Sequence, residues 1–313
     1  NPRSCVAIHI IIIIDVTARN SLRTIISNNR SMSSWNASFV AESLLAMLQR
    51  EQTVYRSSDY LETPSPTPSL RIVDEVVRMK MVDWCYSFID VCHFEREIVV
   101  VAMEMVDRFL SMSNKAEAVL CDRLQFQLLT VTSLYIAVKT HGESALGIDF
   151  FCSISCDIYS FDEIEAMERT LLHELSWCIS PQTCVQMANH ILALVSSDVR
   201  FEQSIYSAIL DEVMYQAEHA VRNYYFATQR QSTVAMAAIF NTLERLDKQN
   251  GQAVVRSLLS IIDEEFDSLE IILDIKSRLH NLVYGQEGDD SAIIDPLLFS
   301  STSAREQLGV SVH

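Results

Sequence analysis

Four charged side chains interrupt otherwise apolar helical runs, and they make the clearest chemical demands in the chain. Arg78 stands before MKMVDW, Asp107 follows MEMV, Lys139 closes LYIAVK, and Glu168 follows EIEAM. A charge in such a place must be paired within the protein or turned to a partner, because an unpaired buried ion is costly. Arg78 and Asp107 have opposite signs on consecutive predicted helices, so an internal ion pair is expected between them. Lys139 and Glu168 end or punctuate helices predicted to face one side. They either hold the backbone of another protein or pair with each other.

Residues that would carry catalysis are harder to find. The sequence has no glycine-rich phosphate loop, no GxSxG, no HExxH and no DFG-like triad. Its 8 histidines are scattered, and its 8 cysteines form no CxxC pair or metal spacing. Asp263-Glu264-Glu265-Phe266-Asp267 faintly resembles the first metal motif of isoprenoid synthases. The second carboxylate-rich ligand set of those enzymes is missing, so the run reads as a solvated acidic helix junction. No catalytic residue, no metal and no cofactor is expected.

The net charge of −17 argues against a nucleic-acid binder or a reader of anionic membranes, and leaves proteins as the expected partners. Cysteines set in apolar runs suit a reducing cytoplasm or nucleus. Gly and Pro are scarce, at 6 each, which favours an all-α protein.

The elements that must hold the four charges are organised around Leu124–Lys139, LQFQLLTVTSLYIAVK, which is apolar on every side from Leu128 to Val138. A helix of that kind is buried all round, and at roughly sixteen residues it is short for a bilayer span. Around it are predicted Leu70–Val91, Phe94–Ser111, a short helix at Gly147–Ser155, and a helix opened by the capping box at Ser160–Glu163 and running to about Trp177. A second set follows at Cys184–Leu194, Phe201–Tyr225 (two helices or one kinked), Ser232–Leu246, Gln252–Ile262 and Phe266–Val283.

The domain reading is therefore residues 70–180 and 181–284 as two similar helical units. Residues 39–69 form an N-terminal helix (Phe39–Arg56, with Leu44, Leu45, Leu48 and Val54 on one side) and a linker. That linker, ETPSPTPS, offers Thr63, Ser65 and Thr67 before prolines as sites for a proline-directed kinase, or serves as a spacer. Residues 1–38 read as disordered or as a mis-annotated extension with Met32 as the true start, and 285–313 as a disordered tail.

RMKMVDW, MVDRFLS, LYIAVK and EIEAMERTLLHELSW, in that order, resemble the cyclin box of the cyclins over about residues 70–180. Ser232-Thr233-Val234-Ala235 is similar, more weakly, to the Pro-Ser-x-x-Ala signature of the second box. The wording around Lys139 is most similar to that of the cyclins of diatoms. The resemblance implies two consecutive five-helix cyclin-box domains and a non-catalytic role, binding and activating a cyclin-dependent protein kinase in cell-cycle control, in nucleus and cytoplasm. It implies that Lys139, Glu168, Phe150 and Phe151 face the kinase, and that Arg78 and Asp107 form the internal ion pair. It also maps a docking patch for kinase substrates onto Val77, Met81, Trp84, Phe126 and Gln127, with Lys80 where an apolar residue usually sits. Two other classes compete: a cyclin-fold transcription-associated or scaffold protein, weakened by the acidic charge, and an all-α metal enzyme, weakened by the missing ligand set.

Overall fold

The computed structural model describes residues 34–62, 70–142, 146–195, 203–245, 254, 258 and 266–285. The expected phosphorylation sites Thr63, Ser65 and Thr67, residues 1–33 and the tail after Gly285 lie outside these. Among the described residues all regular structure is helical: α1 Ser34–Thr53, α2 Glu75–Cys92, α3 Glu97–Met112, α4 Ala116–Leu120, α5 Arg123–His141, α6 Ile148–Ile154, α7 Phe161–Glu174, α8 Cys184–Val195, α9 Gln203–Arg222, α10 Tyr224–Ala227, α11 Gln231–Arg245 and α12 Leu269–Tyr284.

Helix starts follow from local chemistry. Asp74 caps α2 by accepting from the Val77 amide at 2.8 Å, and Asp122 does the same for α5 through Leu124 at 2.8 Å. Each satisfies an amide that has no partner within its helix. Ser160 and Glu163 form the expected capping box at α7. The buried helix runs one turn or less beyond its predicted limits, and every side chain from Phe126 to Val138 is buried. It packs against α3 on one side and α7 on another.

Two hydrophobic clusters result. The first is built from α2 to α7, with Tyr60 from the preceding segment and Tyr224 from α10. The second is built from α8, α9, α11 and α12, with Phe226, Val254 and Leu258. α1 belongs to the second cluster, through Leu44, Met47 and Leu48. The N-terminal helix of residues 39–69 thus packs with the second set of helices. The helix also begins at Ser34, inside the span read as extension, and ends at Thr53 rather than Arg56. Its buried face is Leu44, Met47, Leu48 and Glu51, an i, i+3, i+4, i+7 series, while Leu45 is exposed.

The clusters are joined by charged contacts from the end of α9. Arg222 Nη2 lies 2.6 Å from Asp83 Oδ1 on α2. Glu218 Oε2 accepts from Arg96 Nε at 2.8 Å, just before α3. Arg78 Nη1 donates to the Val221 carbonyl at 2.7 Å.

Candidate functional site

The four charges fall into two pairs of opposite character. Arg78 and Asp107 are buried, 2 % and 3 % exposed. Arg78 Nε donates to Asp107 Oδ1 at 2.8 Å and Nη2 to Oδ2 at 2.6 Å, the two-pronged geometry that a guanidinium offers a carboxylate. Tyr60 Oη adds a third bond to Asp107 Oδ1 at 2.8 Å. Burial works against the Arg78 cation, but Asp107 outweighs it and holds the guanidinium firmly protonated. This pair is a strut, not a contact surface.

Lys139 and Glu168 meet at the surface. Lys139 Nζ donates to Glu168 Oε1 at 3.1 Å, with the lysine side chain 53 % exposed and the glutamate 13 %. The lysine lies over the Tyr135 ring, 5.3 Å from its centroid, in the last turn of α5, where the helix dipole favours a cation. Partial burial pulls its pKa down, yet the bond to Glu168 and the nearby carboxylate raise it overall. Of the two readings open at the sequence level, mutual pairing is what the geometry presents. A surface pair of this kind contributes at most about 1 kcal/mol. Either side chain is therefore free to re-pair with an incoming backbone at little cost.

An aromatic row runs from α2 to α6. Phe150 is half-buried, its ring 6.1 Å from Phe88, which in turn stacks on half-buried Trp84 at 6.1 Å. Phe151 departs from expectation. It is fully buried, 5.5 Å from Phe88 and 5.2 Å from Tyr135, because its position on α6 points into the core that Phe150 only borders. It offers a partner nothing.

The expected docking patch is also corrected. Met81 and Phe126 are 0 % exposed, Val77 8 % and Gln127 4 %. Val77 and Met81 are one turn apart on the inner face of α2, and Phe126 lies on a helix covered on all sides. The Gln127 side chain is occupied, accepting from the Tyr159 hydroxyl at 3.2 Å. Only Trp84 keeps partial exposure, so the five do not make a surface.

Other residues of consequence escaped the sequence reading. The Tyr224 hydroxyl accepts from the Tyr60 and Leu61 amides at 3.0 and 3.1 Å and donates to Asp59 Oδ1 at 2.8 Å. Arg71 clamps the same segment, donating to the Tyr60 and Leu61 carbonyls at 3.2 and 3.1 Å while paired to Glu117 at 2.5 Å. Glu51 accepts from the Ser232 amide at 2.8 Å and from its hydroxyl at 2.6 Å, and so fixes α1 to the start of α11. Tyr224 stands in a stretch read as helix, where a single tyrosine carries no signal of such a role. Glu51 did carry one: it sits seven residues after Leu44, on the buried stripe.

Residues 42–180 match the family model described as the cyclin N-terminal domain. The motifs fall within that match, on one all-helical frame. Residues 42–180 carry a cyclin box. This cyclin box is 26 % identical over 211 residues to a G2/mitotic-specific cyclin-A1 of Caenorhabditis elegans, covering 67 % of this chain and 39 % of that protein. It is 28 % identical over 180 residues to a cyclin-A2-2 of Arabidopsis thaliana, covering 57 % and 39 %. The chain thus spans about two fifths of the length of those curated relatives. Among solved structures, a viral cyclin from herpesvirus saimiri shares the fold at a TM-score of 0.54 and 14 % identity, over 75 % of this chain and 97 % of that one. A chain of the CAK complex of Chaetomium thermophilum bound to ATP-gamma-S does so at a TM-score of 0.51 and 13 % identity, over 89 % and 84 %. Among the described residues, no helix is long and apolar enough to cross a membrane.

Proposed function

We propose that this cyclin box is a regulatory, non-catalytic subunit that binds and activates a cyclin-dependent Ser/Thr protein kinase in cell-cycle control, in nucleus and cytoplasm. The observation that carries the reading is the exposed Lys139–Glu168 pair at the end of the most rigidly buried helix. Its donor and acceptor lie 3.1 Å apart. Together they match the two needs of a backbone segment or helix end, a lysine for a carbonyl and a carboxylate for an amide. Half-buried Phe150 supplies an apolar edge on α6. The relatives' names as cyclins, one of them G2/mitotic-specific and another G1/S-specific, and the fold shared with a chain of a CAK complex support the assignment.

The mechanism is a population shift. A rigid helical face that binds the active arrangement of a mobile kinase helix better than the inactive one moves the equilibrium by that difference in affinity. The chemistry then belongs to the kinase, whose Lys–Glu pair and activation segment come into place.

The test is copurification with a cyclin-dependent kinase from co-expression, with kinase activity as the second readout. Lys139→Glu combined with Glu168→Lys keeps an internal pair and the fold but reverses the polarity offered to a partner. Loss of kinase binding and activation with an unchanged melting temperature is expected. Full binding by this double variant overturns the proposal.

A further inference from the structure

The lysine that ends the buried helix is held from two sides. Glu168 on α7 accepts from Lys139 Nζ at 3.1 Å. The Tyr135 ring lies under the same ammonium, its centroid 5.3 Å away. Tyr135 stands four residues before Lys139 on α5, the spacing at which two side chains of a helix become neighbours. The face of an aromatic ring attracts a cation through its quadrupole.

The ring is itself fixed in place. Tyr135 is buried, and the Phe151 ring meets it at 5.2 Å and 66°, an edge-to-face contact. Phe151 is fully buried and packs in turn on buried Phe88, 5.5 Å away. Rings from three helices, α5, α6 and α2, thus stand behind one exposed ammonium. Packing alone does not call for a ring here. Where this helix only fills space it uses Leu128, Leu129 and Leu134.

What such a seat does follows from the build of lysine. The ammonium is a compact charge on a flexible four-carbon stem. One hydrogen bond to Glu168 sets its distance from one oxygen but not its direction, and the side chain is 53 % exposed. The ring supplies the second point that fixes a direction. Burial works against the ammonium, while Glu168 and, after it, Tyr135 favour it. A lysine already held loses less freedom when a partner's carbonyl arrives. The ring can also keep that hold after Glu168 has turned away to accept from a partner's amide.

We propose that Tyr135, backed by Phe151, is the positioning residue of this surface: its ring holds Lys139 in place while Glu168 exchanges the lysine for the partner. The proposal rests on the reading of Lys139 and Glu168 as the kinase-facing pair.

Two measurements on the full chain test it. The first is proton NMR with isotope-labelled lysine and no kinase present. The Lys139 ε-methylene signal, assigned by its loss in Lys139→Arg, is expected to be shifted upfield by the ring current of Tyr135. Tyr135→Phe is expected to keep that shift and Tyr135→Leu to abolish it. The second is affinity for a cyclin-dependent kinase, at a temperature where circular dichroism shows every variant folded. Tyr135→Leu is expected to weaken binding about three- to tenfold, and Tyr135→Phe by no more than about twofold. If Tyr135→Leu does not fold, Tyr135→Met takes its place, since a flexible thioether fills the gap without a ring. An ε-methylene signal without the shift, or one that loss of the ring leaves unmoved, overturns the proposal. So does a kinase affinity that loss of the ring leaves unchanged. If the unaltered chain binds no such kinase, the functional reading fails instead, and the proton signal alone decides whether the ring seats the lysine.

Discussion

Arg78 on α2 holds Asp107 on α3 with two hydrogen bonds of 2.8 and 2.6 Å, and its third nitrogen reaches across to the Val221 carbonyl at 2.7 Å. One side chain thus ties two helices of the first cluster to the end of α9. Asp107 also receives the Tyr60 hydroxyl, so the segment before α2 is drawn into the same knot. Replacing Arg78 with Ala leaves a buried carboxylate without its counter-charge, and a loss of about 3–5 kcal/mol is expected. Chemical denaturation checks this. Asp107→Asn in the same background is expected to recover part of the loss, because the uncompensated charge goes. If the double variant is no more stable than Arg78→Ala, charge is not the cause.

Tyr224→Phe removes a single oxygen that accepts two backbone amides, those of Tyr60 and Leu61. Both amides then lack that partner in a largely buried place, at about 1–3 kcal/mol. Hydrogen exchange at these two amides is expected to speed up, while the rings, whose centroids lie 5.0 Å apart, keep their packing. Unchanged exchange at both amides contradicts the account.

α1 is held to the second cluster by packing and by Glu51. Leu48, 2 % exposed, sits at the centre of that contact. Leu48→Ala is expected to cost about 2–5 kcal/mol. Limited proteolysis is expected to cut first within α1. Cleavage elsewhere, with α1 still protected, speaks against this packing as the limiting contact.

Glu104 makes stability depend on pH in an unusual direction. Its folded-state pKa is raised from the ordinary 4.5 to about 8, so between those values the native protein holds a proton that the unfolded chain releases. Its contribution therefore falls as pH rises through that window, by at most about 1.4 kcal/mol per pH unit. Thermal melts of the native protein and of Glu104→Gln, compared from pH 5 to pH 8 (a window set by this linkage, roughly between the two values), isolate the effect. The native protein is expected to lose stability relative to the variant as pH increases. Parallel curves refute the shift.

The helical frame was legible because its causes are local. The buried helix announced itself by an apolar surface without a polar stripe, and α7 by Ser160 and Glu163 at capping-box spacing. α4 was missed because a single turn, AEAVL, is too short to show a period. The split of Phe201–Tyr225 into α9 and α10 turns on Asn223, whose side chain caps the second piece through the Tyr225 amide at 3.0 Å. At the site, opposite signs at Arg78 and Asp107 were enough to anticipate their pairing. Lys139 and Glu168 were not decidable in the same way, since a surface lysine has many reachable partners. The mapped patch failed because resemblance carries a residue's position on a helix but not the depth at which that helix lies. Met81 and Phe126 are covered here.

The order of apolar and polar residues by itself determined the helices, their caps, the buried central helix and the sign of each charge. Only the tertiary structure decided that α1 joins the second cluster, that Lys139 and Glu168 touch, that Phe151 turns inward while Phe150 stays at the edge, and that Glu104 is buried beside Arg108 with one oxygen unbonded. The reason is geometric. A helical period fixes which face of a segment must leave water, while which neighbour covers that face, and how far one side-chain tip ends from another, depends on how separate helices pack together.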